Sequence, residues 1–175
     1  TDNRLHKADI IHLVETSISE EEDESAFILD GYNQRFIKNG NGKGISTYYK
    51  DDRLQHVKDI KTDKFQITKF KHETIDLINV YRSQSGNSLE LLEHLKEQIE
   101  AGRKTVITGD FNICFMENFN NRMIQGLLPL GFNQLVHEPT HMRGRHIDHV
   151  YFLDQSGSLK PILDRYSPYY SDHDG

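Results

Sequence analysis

Apolar positions along this chain fall mostly in short runs or alternations, the periodicity of strands, with helical spacing in fewer places. Residues 1–8 read as the tail of a helix. Residues 9–14 form an almost wholly apolar strand that delivers Glu15 at its end, followed by the small polar Thr16 and Ser17. Residues 26–32 give a second strand candidate, and residues 45–49 a third. Between them, the basic, glycine-rich residues 38–44 fit a hairpin connection, and match neither a P-loop nor a dinucleotide fingerprint. Residues 51–63 are polar and read as loop. Residues 65–70 alternate, which predicts a half-exposed strand. Residues 74–80 predict the next strand, with Tyr81, Arg82 and Ser83 at its exit.

Over residues 88–101 the period changes. Leu89, Leu92, Leu95 and Ile99 recur at spacings of three, three and four, one apolar stripe of a helix closed by Gly102. The β-branched run Thr105, Val106, Ile107 and Thr108 is a buried strand ending at Gly109, where the backbone turns and leaves room for a ligand. Residues 117–128 give a weaker helix, and residues 130–136 a turn and short strand. In the strand 147–152, Asp148 and His149 occupy opposite faces. No repeat or linker divides these elements, so residues 1–175 form one α/β domain.

Composition narrows the class. With 35% hydrophobic and 27% charged residues the chain is globular rather than disordered. It has no apolar run long enough to cross a bilayer, which argues against a membrane partner, and Thr1 to Arg4 lack the apolar core of a signal peptide. Cys114 is the only cysteine, so no internal disulfide can form; together these features favour an intracellular protein. The net charge of −6 argues against a broadly basic nucleic-acid coat. It does not exclude a nuclease, because the run Glu20 to Glu24 supplies five negative charges by itself and reads as a solvated loop.

Candidate chemistry gathers at strand ends. Asp110 and Asn112 stand two apart and point the same way if the chain stays extended. A carboxylate and an amide there suit a hydrated Mg2+ and a phosphate oxygen, or else a plain Asx turn. Tyr81 and Arg82 offer a hydroxyl and a guanidinium to a phosphate, or else a tyrosine cap and a surface arginine. His137, His141, His146 and His149 invite a zinc reading, but Pro139 breaks any helix and no cysteine lies nearby.

Five motifs together resemble the endonuclease/exonuclease/phosphatase superfamily, the deoxyribonuclease-I-like phosphodiesterases. They are Val14-Glu15-Thr16, Val80-Tyr81-Arg82, Gly109-Asp110-Phe111-Asn112, Ile147-Asp148-His149-Val150 and Ser171-Asp172-His173. All five stand in family order and span nearly the whole chain. Gly131 to Val136, leading to Pro139, Thr140 and His141, is similar to the apurinic-endonuclease-like domain of non-LTR (LINE-type) retrotransposons.

The resemblance implies a two-sheet β-sandwich flanked by helices in four layers, with the site where strand ends of both sheets meet. It implies a Mg2+-dependent phosphodiesterase, Mn2+ being the alternative ion. The activity implied is a DNA endonuclease that nicks one strand and leaves a 3′-hydroxyl. It assigns metal binding to Glu15 with support from Asp172. Asp110 and Asn112 would handle the nucleophilic water and the phosphate. His173 would contact the phosphate and move a proton, held by Asp148. Tyr81 and Arg82 would bind the phosphate. Its other implications are a nuclear location, a fused reverse transcriptase, and a chain lacking the family's first strand, with its active-site Asn, and last strand. The alternatives are a superfamily enzyme acting on RNA, phosphoinositide or a lipid head group, or a non-catalytic truncated remnant.

Overall fold

A computed structural model of the chain describes residues 5–40, 42–165 and 171–173. Strands β1 (Ile10–Val14), β2 (Asn33–Ile37) and β3 (Ile45–Tyr49) form an antiparallel sheet in the order β1-β3-β2. Strands β4 (Gln55–Lys61), β5 (Phe65–His72), β6 (Ile75–Arg82), β7 (Lys104–Asp110), β8 (Asn133–Gln134) and β9 (Asp148–Leu153) form the second, in the order β4-β5-β6-β7-β9-β8. Within it β6 and β7 are parallel. A parallel pair needs a long crossover, and helix α1 (Ser88–Gln98) supplies it.

Asn87 starts α1 by accepting the amide protons of Leu89 and Glu90. The buried stripe is Leu91, Leu92 and Leu95, whereas Leu89 is exposed and Ile99 is already an extended cap. With helix α2 (Arg122–Leu127), α1 covers one face of the large sheet. Its leucines meet Phe65, Ile67, Ile78, Val80, Ile107 and Tyr151 there. On the opposite face, Tyr81 packs against Val14, Ile37 and Ile45 of the small sheet. The outer face of the small sheet, Ile11, Phe36 and Tyr48, packs against Leu5, Ala8, Phe27 and Leu29 from single-turn helical segments and their flanks. The result is the expected four-layer α/β sandwich.

Several elements depart from the sequence reading. Residues 26–32 are not a strand: Asp23 caps a short helical turn, Glu24–Phe27, and the strand follows it as β2. The polar stretch 51–63 contains β4, an exposed edge strand whose charges and bulge between His56 and Lys58 discourage further pairing. Residues 65–70 are wholly buried rather than half exposed. Lys69 lies within that buried run because Asp76, at 2.8 Å, and Glu100, at 2.9 Å, take its charge. The second helix begins only at Arg122, after an Asn121 cap. The acidic run is stapled as well as solvated: Glu20 pairs with Lys61 and Glu24 with Lys38.

Candidate active site

Three neighbouring strands of the large sheet present one row of side chains toward the small sheet. Tyr81 on β6 pairs with Asp110 on β7, and Asp110 pairs with Asp148 on β9. Opposite the row, β1 ends and Glu15 turns the chain with φ of 56°. The Tyr81 hydroxyl donates to the Glu15 carboxylate, and burial together with that charge pushes its pKa up. Glu15, Asp110, Asp148, Asp172 and His173 line a cleft of about 820 Å³ between the sheets.

Gly109 serves a purpose beyond the one its sequence suggests. The strand runs on through Asp110, and a Cβ at residue 109 would lie 1.9 Å from the Val80 carbonyl oxygen. The missing side chain makes room for the β6 backbone, and the residue itself still lines the cleft. After Asp110 the chain does not stay extended: Asn112 takes φ of 49°. Its backbone N–H donates to Asp110 Oδ1 at 2.8 Å and its side-chain amide to Asp110 Oδ2 at 2.9 Å. The Asx turn and the polar site are thus one arrangement.

Asp110 is 1% exposed. Burial, then the charges of Asp148 and Glu15, push its pKa up to about 7 against the opposing pull of the Asn112 amide and His173. His173 Nδ1 lies 2.9 Å from Asp148 Oδ2, and this bond, despite partial desolvation, raises its pKa to about 9. Asp148 in turn receives its own backbone anchor, its N–H donating to Thr140 Oγ1 at 3.1 Å. The cluster therefore holds an acid made weak by burial beside a histidine kept cationic by its partner.

A family model described as the Endonuclease/Exonuclease/phosphatase family matches residues 3–173. The chain belongs to this family. As a member of the endonuclease/exonuclease/phosphatase family it is an enzyme of the phosphodiesterase and nuclease class. Its fold is similar to that of an AP endonuclease from Archaeoglobus fulgidus, at 17% identity and a TM-score of 0.72, covering 98% of this chain and 88% of that one. The endonuclease domain of TRAS1, a telomere-specific non-LTR retrotransposon, gives 16% identity, a TM-score of 0.65, and coverage of 98% and 84%. The 3′ phosphatase NExo from Neisseria, bound to a product DNA hairpin, gives 15%, 0.69, and coverage of 95% and 86%. Comparison with curated proteins gave no match.

Within this endonuclease/exonuclease/phosphatase site, Arg82 stands apart from its expected place. It is 6% exposed and does not line the cleft. Its guanidinium donates to the carbonyls of Phe111 at 2.9 Å and Gly86 at 2.6 Å, bracing the turn that carries Asn112. Tyr81 and Asn112 also sit behind the cleft wall, engaged with Glu15 and Asp110. Asp172 reaches the cleft, but its carboxylate pairs with His141 at 3.2 Å. The four histidines considered for zinc do not converge. His149 is buried, stacked on Phe111 at 4.8 Å, while His137 is exposed. Thr140 escaped the sequence reading as a site residue, and His141 entered it only among the four histidines weighed for zinc. The other signal was their place in the Pro139-Thr140-His141 segment before the Asp148 strand.

Proposed function

We propose that this chain is a Mg2+-dependent DNA endonuclease that nicks one strand and leaves a 3′-hydroxyl. The observation that carries the reading is the Asp148–His173 pair set beside buried Asp110, with Glu15 facing them from the other sheet. The similarity in fold to an AP endonuclease and to a 3′ phosphatase bound to a product DNA hairpin supports DNA as the substrate. The reverse transcriptase expected alongside has no support in the comparisons.

The donor set fits a divalent ion. Burial first, and then the charges of Asp148 and Glu15, raise Asp110, and carboxylate oxygens gathered in one cleft suit a hard cation. Glu15 would hold Mg2+ with Asp172 in support, and the bound ion would neutralise charge developing on the phosphate. The chain's own residues do the rest. Asp110, near neutral in affinity for a proton, takes one from the attacking water, while the Asn112 amide fixes its carboxylate. The water oxygen bonds to phosphorus as the bond to the 3′-oxygen breaks, and that oxygen leaves as a hydroxyl with the proton given up by His173 Nε2. Cationic His173 faces the phosphate oxygens, and Asp148 keeps its Nδ1 proton in place.

Supercoiled plasmid incubated with the chain in Mg2+ should relax to the nicked circle, and EDTA should stop it. Release of phosphate from phosphoinositide vesicles with intact plasmid would instead assign the other superfamily chemistry. Inactivity on both would leave the binding remnant.

A further inference from the structure

We propose that His141 is a positioning residue for His173, acting through a loop that grips both halves of the Asp148–His173 pair. The inference rests on the catalytic reading of His173 given above. His141 is 11% exposed in its side chain, and its Nε2 lies 3.2 Å from Asp172 Oδ2. Its ring stands edge-on to that of His173, with centroids 4.8 Å apart and planes at 80°. The backbones are joined as well. His141 forms an antiparallel bridge with His173, and the Met142 N–H donates to the Asp172 carbonyl at 2.9 Å.

The loop that carries these contacts is braced on itself. The N–H groups of Thr140 and His141 both reach the Arg145 carbonyl, at 3.0 and 3.1 Å, and the Gly144 N–H returns to the His141 carbonyl at 2.8 Å. One residue before His141, Thr140 holds the Asp148 amide. A single short segment therefore holds the Asp148 main chain on one side and the histidine on the other.

His173 needs that second hold. Its strand-like contact among the described residues is the bridge to His141, and its own N–H is taken by Ser171 Oγ at 3.0 Å. Asp148 grips only Nδ1, about which an imidazole can still swing. The edge of the His141 ring blocks that swing and aims the other nitrogen. His141, Asp172 and His173 lie close enough to share a cation. However, His141 Nδ1 accepts the Arg143 N–H at 3.1 Å, which puts the ring proton on Nε2, facing Asp172. Ligation through Nε2 would break that bond, so a hydrogen-bonded clasp is the better fit.

Plasmid nicking kinetics and imidazole 15N NMR of His173 test this in the parent, H141A and H141Q, with thermal melts run beside them. H141A should lower kcat by about 10²-fold, the scale of a misplaced catalytic group, with KM within about twofold. H141Q, whose amide can still donate to Asp172, should recover about tenfold of that loss. The His173 ring signals should shift or broaden in H141A while the melt persists. Parental kcat with unchanged His173 signals would overturn the clasp, as would a raised KM at parental kcat. If H141A does not fold, H141Q carries the same two readouts. If the parent itself does not nick plasmid, the endonuclease reading fails, and the His173 spectra still decide for or against the clasp.

Discussion

Burying a carboxylate is costly unless it is fully paired, yet Asp110 lies at 1% exposure between two other acids. Its folded-state pKa of about 7 stands above the ordinary carboxylate value, so the folded state loses stability as pH rises toward 7. Asp110→Asn keeps the shape and one of the two bonds from Asn112, giving up the other, while removing the charge. At pH 8 the variant should be more stable than the parent by on the order of 2 kcal/mol, measured by urea unfolding, and should not nick plasmid. A less stable variant would mean that the charge is compensated. Asp148→Asn should cost up to about 10⁴-fold in rate, as the loss of a carboxylate behind a catalytic histidine does in hydrolase triads. Combined with His173→Ala it should cost nothing further; full additivity would separate the two residues.

At the scale of elements, the parallel β6–β7 contact depends on a residue without a side chain. A methyl group at residue 109 would strike the Val80 carbonyl, and φ of 137° is itself unfavourable for other residues. Gly109→Ala should destabilise the chain by on the order of 3 kcal/mol in urea unfolding and reduce nicking with it, whereas a neutral result would mean the sheet can shift. The apolar strands β1, β6, β7 and β9 were legible because their side chains are themselves apolar. Strand β4 was not legible, and β5 was legible as a strand but not as a buried one, for two physical reasons. An edge strand in water carries the composition of a loop, and Lys69, Gln66 and Thr68 are buried by neighbours that no local pattern reveals. At the site, Glu15, Asp110, Asp148 and His173 were legible from their motifs, and the structure brings them to one cleft. The roles of Arg82 and His141 were not, since each depends on partners such as Phe111 and Asp172 far away in sequence.

For the whole molecule, His149 couples the core to pH. It is fully buried, donating from Nε2 to the Ile113 carbonyl at 2.8 Å and accepting the Tyr151 hydroxyl at Nδ1. Burial lowers its pKa to about 4, below the value near 6.5 of an unfolded chain. The unfolded state therefore binds the proton first as pH falls. The stability tied to neutral His149 is complete above about pH 6.5 and drains away between there and about pH 4, by roughly 3 kcal/mol. Asp110 gains protons within the same range and opposes this loss, so the test is a difference. Relative to the parent, His149→Phe should gain stability as pH falls from 6.5 to 4, by roughly 3 kcal/mol across the range; a difference between the two that stays constant with pH would remove His149 as the cause.

Tyr81, Asp110 and Asp148 share one rung of the large sheet, and the rung is set by main-chain pairing rather than by the segments that link the strands. Divergence is thereby split into two regimes. Within a strand, losing a single residue would turn every later side chain to the wrong face and take the chemistry with it. Between strands, the excursion from Phe111 to Ile147 can vary outside the Asn112 turn and the Thr140–His141 loop, which hold the acting side chains, while the rung stays where it is. A lineage built this way can rewrite what it grips without relearning how to cut. Folds alike at 15–17% identity are what such an inheritance leaves behind.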